Sequence, residues 1–249
     1  MTYFVKKNNS NKKKRILWLH GWGQEHQSFA KLEPFFKDVE NVLFDFPGFG
    51  KSPPPSKVWG TEKYAEFIEN CLQKEPKKET YVLGHSFGCR VALRFAHKYP
   101  LKVKGLILIS AAGLKRKRSL FFKLKAFFLK SLGRVACLLD RVFKTKLKQL
   151  YSMKFGSPDY RNANGIMKEI FVRTISEDLS EIAQKIKTPT LLIYGTEDKE
   201  TPPEFGKCYS DLLINSKYIE IPNFDHYNIL STGKHQLQNI IVNFMKLEG

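Results

Sequence analysis

The sequence contains few cysteines and no long apolar segment. Its four cysteines show neither the C-x-x-C spacing of a metal or redox site nor the density of a disulfide scaffold: Cys71, Cys89, Cys137 and Cys208. We therefore expect reduced thiols in the core of a cytoplasmic protein. No apolar run approaches the length of about 18 residues that a membrane span requires, and no apolar signal segment follows the basic N-terminus. These absences predict a soluble protein that is not exported.

The familiar cofactor motifs are also missing. The sequence has no H-E-x-x-H zinc motif, no phosphate-binding P-loop and no G-x-G-x-x-G dinucleotide fingerprint. We therefore expect no metal, nucleotide or flavin cofactor.

What the sequence does contain is a regular alternation of strand-like and helix-like segments. The chain has 249 residues, enough to bury roughly three-quarters of its unfolded surface around one large core. The predicted strands are 3–5, RILWLHGWG, NVLFDF, YVLG, KGLILIS, TPTLLIYG and KYIEIP, and the predicted helices are 29–36, 61–72, CRVALRFAHKY and 234–246. This alternation predicts an α/β fold with a mostly parallel central sheet and helices on both faces.

The positive charge is concentrated in one part of the chain. The net charge is +18, and the segment from Lys115 to Lys154 holds thirteen basic residues against a single acid, Asp140. Within it, residues 119–135 predict an amphipathic helix with lysines on one face and Phe and Leu on the other. This helix admits three interpretations: a lid over a pocket, a surface for anionic membranes, or a docking face for an acidic carrier protein. Nucleic acid is disfavoured because no binding module is visible.

A serine between two glycines marks the junction between a strand and a helix. In TYVLGHSFGCRVAL, Ser86 follows the apolar run and precedes the amphipathic one, with Gly84 and Gly88 on either side. A tight turn at the carboxyl edge of a parallel sheet presents such a side chain to a ligand. We interpret Ser86 as a nucleophile, the alternative being a serine that caps the helix.

A serine nucleophile requires a base and an acid that orients the base. His226 follows the last predicted strand, and Glu197 and Asp198 follow the strand before it, with Asp198 the favoured acid. The order Ser, Asp, His, each at a strand end, predicts a catalytic triad. The other histidines are expected to be structural (His20 and His85), within a helix (His97) or on the surface (His26 and His235).

Several motifs together resemble the α/β-hydrolase fold family. They are HGWG at 20–23, DFPGFGKS at 45–52, GHSFG at 84–88, GTED at 195–198 and DH at 225–226. The resemblance implies a core domain formed by residues 1–113 and 186–249, and a basic helical cap formed by residues 114–185. It also implies that the backbone N–H groups of Trp22 and Phe87 form an oxyanion hole. A serine nucleophile disfavours the dehalogenase and epoxide hydrolase branches of the family, which use aspartate.

The favoured function is hydrolysis of a carboxylic ester with a small or medium acyl group through an acyl-enzyme. Three alternatives stay open. LHGWGQEHQSF and DFPGFGKS resemble the pimeloyl-[acyl carrier protein] methyl ester esterases, which favours an ester on an acyl carrier. A C–C bond hydrolase would use the same triad. A membrane- or partner-binding protein on the same scaffold would use none of it.

Overall fold

The computed structural model describes residues 3–115, 131–132, 134–135, 138–140, 142 and 157–247. Its centre is a seven-stranded sheet in the order β1-β3-β2-β4-β5-β6-β7. The strands are β1 (Val5–Asn8), β2 (Lys14–Leu19), β3 (Glu40–Phe44), β4 (Glu79–His85), β5 (Gly105–Ile109), β6 (Thr190–Gly195) and β7 (Ser216–Ile221). Only the pairing of β1 with β3 is antiparallel among these strands, so the prediction of a mostly parallel sheet is confirmed.

Helices lie between the parallel strands. They are α1 (Thr61–Leu72), α2 (Phe87–Lys98), α3 (Pro158–Asn162), α4 (Ile166–Ser176), α5 (Ser180–Ala183), α6 (Pro203–Leu212) and α7 (Lys234–Leu247). Three of the predicted helices are confirmed as α1, α2 and α7. The helix predicted at 29–36 is wrong, because the structure has two short 3₁₀ turns there, His26–Phe29 and Glu33–Phe35. Pro34 is the second residue of the later turn and cannot donate the N–H that a continuous α-helix requires.

The period-two pattern of the strands divides the core between the two faces of the sheet. In β2, Leu17 and Leu19 pack on the face that carries α1, α2 and α6. Ile16 and Trp18 pack on the opposite face, against α7 and the 3₁₀ turns. All four side chains are buried, as expected of a strand that is covered on both faces.

The insertion predicted to form the cap, residues 114–185, is described only in part. Helices α3, α4 and α5 lie within 157–183, whereas most of the predicted amphipathic helix at 119–135 lies outside the described residues. The division into a core and a cap stays a prediction. No helix in the described ranges is both long and apolar enough to cross a membrane.

The cysteine prediction holds only in part. Cys89 is buried, Cys71 is half-buried and Cys208 is exposed, so the expectation of a core thiol is wrong for Cys208. Cys137 lies outside the described residues.

Candidate active site

Ser86 lies on a strained turn between β4 and α2. Its backbone has φ 52° and ψ −109°, a conformation that non-glycine residues rarely adopt. The two flanking glycines make the turn possible. A Cβ on Gly84 would lie 2.7 Å from the amide nitrogen of Cys89, and a Cβ on Gly88 would lie 1.9 Å from the carbonyl oxygen of Leu19. The helix can therefore begin directly against the sheet, with the serine hydroxyl held above it.

The structure brings the three predicted side chains into contact. His226, from the loop after β7, places Nε2 2.9 Å from the Ser86 hydroxyl oxygen. Its Nδ1 lies 2.8 Å from Oδ2 of Asp198, from the loop after β6. Each ring nitrogen of His226 therefore forms a hydrogen bond with a different one of the other two side chains.

Asp198 is fixed by the loop that carries it. Its Oδ1 accepts the backbone N–H groups of Glu200 and Thr201 at 2.9 and 2.8 Å, and the Thr201 hydroxyl lies 3.0 Å from Oδ2. Burial raises the pKa of this carboxyl, but the His226 imidazole and the Thr201 N–H outweigh it and hold the pKa below its usual range. Glu197, the other acid considered, is exposed. Nothing in the sequence predicted a role for Thr201 except that it lies close to Asp198.

Two backbone N–H groups beside Ser86 have no acceptor within the described part of the chain. They belong to Trp22 and Phe87, the residues that the resemblance implies for an oxyanion hole, and both residues line the same pocket as Ser86. Phe87 is the first residue of α2, so its N–H lies at the positive end of the helix dipole. An anion in the pocket would complete the hydrogen bonding of both groups.

His85 connects two loops of the site. Its ring is fully buried, and burial lowers its pKa to about 3, so the ring is neutral near pH 7. Nε2 donates to the backbone carbonyl of His226 at 2.9 Å, while Nδ1 lies 3.2 Å from Oε1 of Gln24. The same Oε1 accepts the N–H of Gly21 at 3.0 Å. The structural interpretation of His85 thus has a specific basis, whereas the contribution of Gln24 had no sequence signal.

Two further histidines organise the neighbouring loops. Nε2 of His20 accepts the N–H of Phe46 at 3.0 Å, which agrees with the predicted structural position. The surface position expected for His26 is wrong: the side chain is buried, with Nδ1 2.7 Å from Oδ1 of Asp45. Glu25, His26 and Asp45 could together offer ligands to a metal ion. Asp45, however, already accepts the backbone N–H groups of His26 and Lys51, at 2.7 and 2.9 Å. We therefore interpret the cluster as hydrogen bonding that holds two loops together.

The pocket above Ser86 has a volume of about 240 Å³. Helices α3 and α4 contribute Asp159, Phe171 and Ile175 to its wall. The ring of Phe171 packs against Trp22 with 4.9 Å between centroids. Residues from the insertion and from the sheet loops therefore enclose one space around the serine.

Comparison with known proteins identifies the family. The sequence matches the family described as alpha/beta hydrolase fold over residues 14–231, and the chain belongs to that family. It is 26% identical to a pimeloyl-[acyl-carrier protein] methyl ester esterase of Chromobacterium violaceum, over 87% of this chain and 88% of that protein. It is 22% identical to Lipase 3 of Moraxella sp., over 88% of this chain and 73% of that protein.

A solved structure shows the same fold. MGS-M2, an alpha/beta hydrolase enzyme from a Medee basin deep-sea metagenome library, aligns with a TM-score of 0.73 at 20% identity, over 98% of this chain and 94% of that chain. The prediction of an α/β-hydrolase fold is confirmed. The esterase and lipase relatives support hydrolase activity.

Proposed function

We propose that the protein is a serine hydrolase that cleaves carboxylic esters with small or medium acyl groups. The observation that carries the proposal is the unbroken contact from Asp198 through His226 to Ser86, at 2.8 and 2.9 Å. These side chains come from three loops at the carboxyl edge of the sheet, where ligands bind in open α/β folds. The arrangement has the form of a catalytic triad.

The chemistry follows from the positions of the atoms. The Ser86 hydroxyl attacks the ester carbonyl while Nε2 of His226 takes its proton. The same proton then passes to the departing alcohol, which leaves an acyl-enzyme on Ser86. Water, deprotonated by His226, attacks the acyl group, and the carboxylic acid departs as Ser86 regains its proton. Asp198 holds the imidazole in the tautomer that accepts the proton at Nε2.

The free N–H groups of Trp22 and Phe87 supply the stabilisation of the tetrahedral intermediates. Each such donor typically lowers the barrier by about 3 kcal/mol. Because the groups belong to the backbone, they are positioned before substrate arrives and require little rearrangement during the reaction. In this proposal the insertion that carries Phe171 and Ile175 acts as a cap that limits the size of the acyl group.

Labelling with a fluorophosphonate and a panel of p-nitrophenyl esters test the proposal. We expect wild type to be labelled and to hydrolyse short acyl esters. Ser86→Ala should lose the label and reduce kcat by roughly 10⁴- to 10⁶-fold, because the attacking group is removed. Ser210→Ala, on α6 and outside the pocket, is the matched control and should behave as wild type.

Two outcomes would contradict the assignment. Labelling that survives Ser86→Ala would place the nucleophile elsewhere, and a protein that turns over no ester of any acyl length would not be an esterase. Cleavage of vinylogous diketones in preference to esters would instead indicate a C–C bond hydrolase.

An ester carried on an acyl carrier protein is a second candidate. It is favoured by the activity for which the Chromobacterium relative is named and by the basic segment from Lys115 to Lys154, which suits an acidic carrier. The same panel should therefore include one methyl ester both free and linked to acyl carrier protein. A higher kcat/KM for the linked form, lost at high salt, would support docking of the carrier.

A further inference from the structure

Arg90 is a buried cation in the wall of the pocket. It lies on α2 one turn beyond Ser86, with a solvent exposure of 8%. The only hydrogen bond of its guanidinium within the described part of the chain runs from Nη1 to the backbone carbonyl of Glu177, at 3.1 Å. A guanidinium carries five N–H donors, so most of them have no acceptor among the described residues.

No carboxylate forms an ion pair with Arg90 among the residues that the structure describes. The side chain of Glu177 is engaged by Arg94 and by the backbone N–H of Thr61, at 3.4 and 3.0 Å. The side chain of Asp178 accepts from the Ser180 hydroxyl at 2.6 Å and lies 3.7 Å from Lys115. The sequence also has no acid at positions 116–130 or 143–156. A buried charge without a counter-ion is unfavourable, and proteins rarely keep one without a use.

The negative charges of the pocket lie in a different part of its wall. Asp159 and Glu200 both line the pocket, and both raise the pKa of Tyr227, beside His226. Glu177 and Asp178 influence Arg90 electrostatically, but neither forms an ion pair with it in the described residues. Asp159 lies on α3 and Glu200 in the loop after β6, whereas Arg90 lies on α2. A substrate with an anionic group would place that group toward Arg90 and away from Asp159 and Glu200.

We infer that Arg90 binds an ionised carboxylate of the substrate, so that the preferred ester is a monoester of a short dicarboxylic acid. The inference rests on the proposed esterase function and adds a substrate class to it. The guanidinium offers planar paired N–H groups that match a carboxylate, and it does so one helical turn from the attacking hydroxyl. The carboxylate would supply the missing counter-ion.

Matched methyl esters test the inference. Monomethyl glutarate is compared with methyl 4-carbamoylbutanoate, in which a neutral amide of the same shape replaces the carboxylate, and methanol release is measured. We expect wild type to favour the carboxylate ester by roughly 10- to 100-fold in kcat/KM, the range for a hydrogen-bonded charge. Arg90→Gln should abolish this preference, chiefly by lowering kcat/KM for the carboxylate ester. Arg90→Lys should retain part of it.

Lys98→Gln is the control, because it removes a positive charge from the same helix outside the pocket and away from Glu177. It should keep the wild-type preference. The inference is overturned if wild type hydrolyses the amide ester as well as the carboxylate ester, or if Arg90→Gln keeps the preference. Either result leaves the esterase proposal intact, since the neutral ester is still cleaved. The wild-type comparison decides the matter even if an Arg90 variant fails to fold.

Discussion

His85 couples the turn of Ser86 to the loop of His226. It donates to the carbonyl of His226 and packs its ring on that imidazole with 4.9 Å between centroids. In His85→Phe the ring is kept and the hydrogen bond is lost, so a buried carbonyl loses its donor. We expect the free energy of unfolding to fall by about 1–3 kcal/mol and kcat to fall with it, as measured by urea denaturation and ester hydrolysis.

His97, an exposed histidine on α2, provides the control. His97→Phe changes α2 far from the site and should leave both quantities near their wild-type values. If His85→Phe loses stability but keeps its kcat, the residue supports the fold and has no role in positioning His226.

The site residues that could be predicted share one property. Ser86, Asp198 and His226 each lie in the turn or loop that follows a strand, so the sequence places them at one edge of the sheet. The buried position of His26 could not be predicted, because its partner Asp45 is 19 residues away and the pairing depends on how two loops meet. Arg90 likewise has the sequence pattern of an ordinary helical arginine, and its contact with the carbonyl of Glu177 depends on tertiary packing.

At the scale of elements, the decisive junction is the passage from β4 into α2. Gly88 lies in the first turn of α2, against the end of β2. In Gly88→Ala the new Cβ would overlap the carbonyl of Leu19, and neither backbone can move without separating helix from sheet. We expect the free energy of unfolding to fall by about 3 kcal/mol or more, measured by urea denaturation.

Gly165→Ala separates this steric effect from backbone strain. Gly165 has φ +50°, but no atom lies within 4 Å of its Cβ position. Gly165 has ψ −133°, so the substitution should cost about 1–3 kcal/mol, the penalty of a positive-φ backbone conformation that residues with a Cβ rarely adopt. Equal losses in the two variants would mean that close packing is not what requires Gly88.

The elements of the central sheet were easier to predict than those around the insertion. An apolar run defines each buried strand, and regular spacing defines α1 and α7. Residues 29–36 show helical spacing too, but Pro34 interrupts the hydrogen bonding and the chain forms 3₁₀ turns instead. Helices α3 and α5 have five and four residues, too short for periodicity to reveal.

At the scale of the whole molecule, two buried histidines link stability to pH. Burial lowers the pKa of His20 to about 4 and that of His85 to about 3, from 6.5. Below pH 6.5 the unfolded chain binds protons at these positions while the native protein does not, so acid favours unfolding. The stabilisation is complete above pH 6.5 and is lost progressively as the pH falls toward 4. Each histidine should contribute a slope of up to about 1.4 kcal/mol per pH unit.

Urea denaturation at several pH values between 7 and 4.5 measures this slope. The buried carboxyls of Asp45 and Asp198 have lowered pKa values, so they take up protons only below this range. The His85→Phe variant has one titrating group fewer, so its stability should fall less steeply with acid even though it starts lower at pH 7. Wild type and His85→Phe with parallel pH dependences would show that the His85 ring takes up its proton in the folded protein as readily as in the unfolded chain. The imidazole would then not be held neutral by the core, and the contact from its Nε2 to the His226 carbonyl would have to survive with a charged ring.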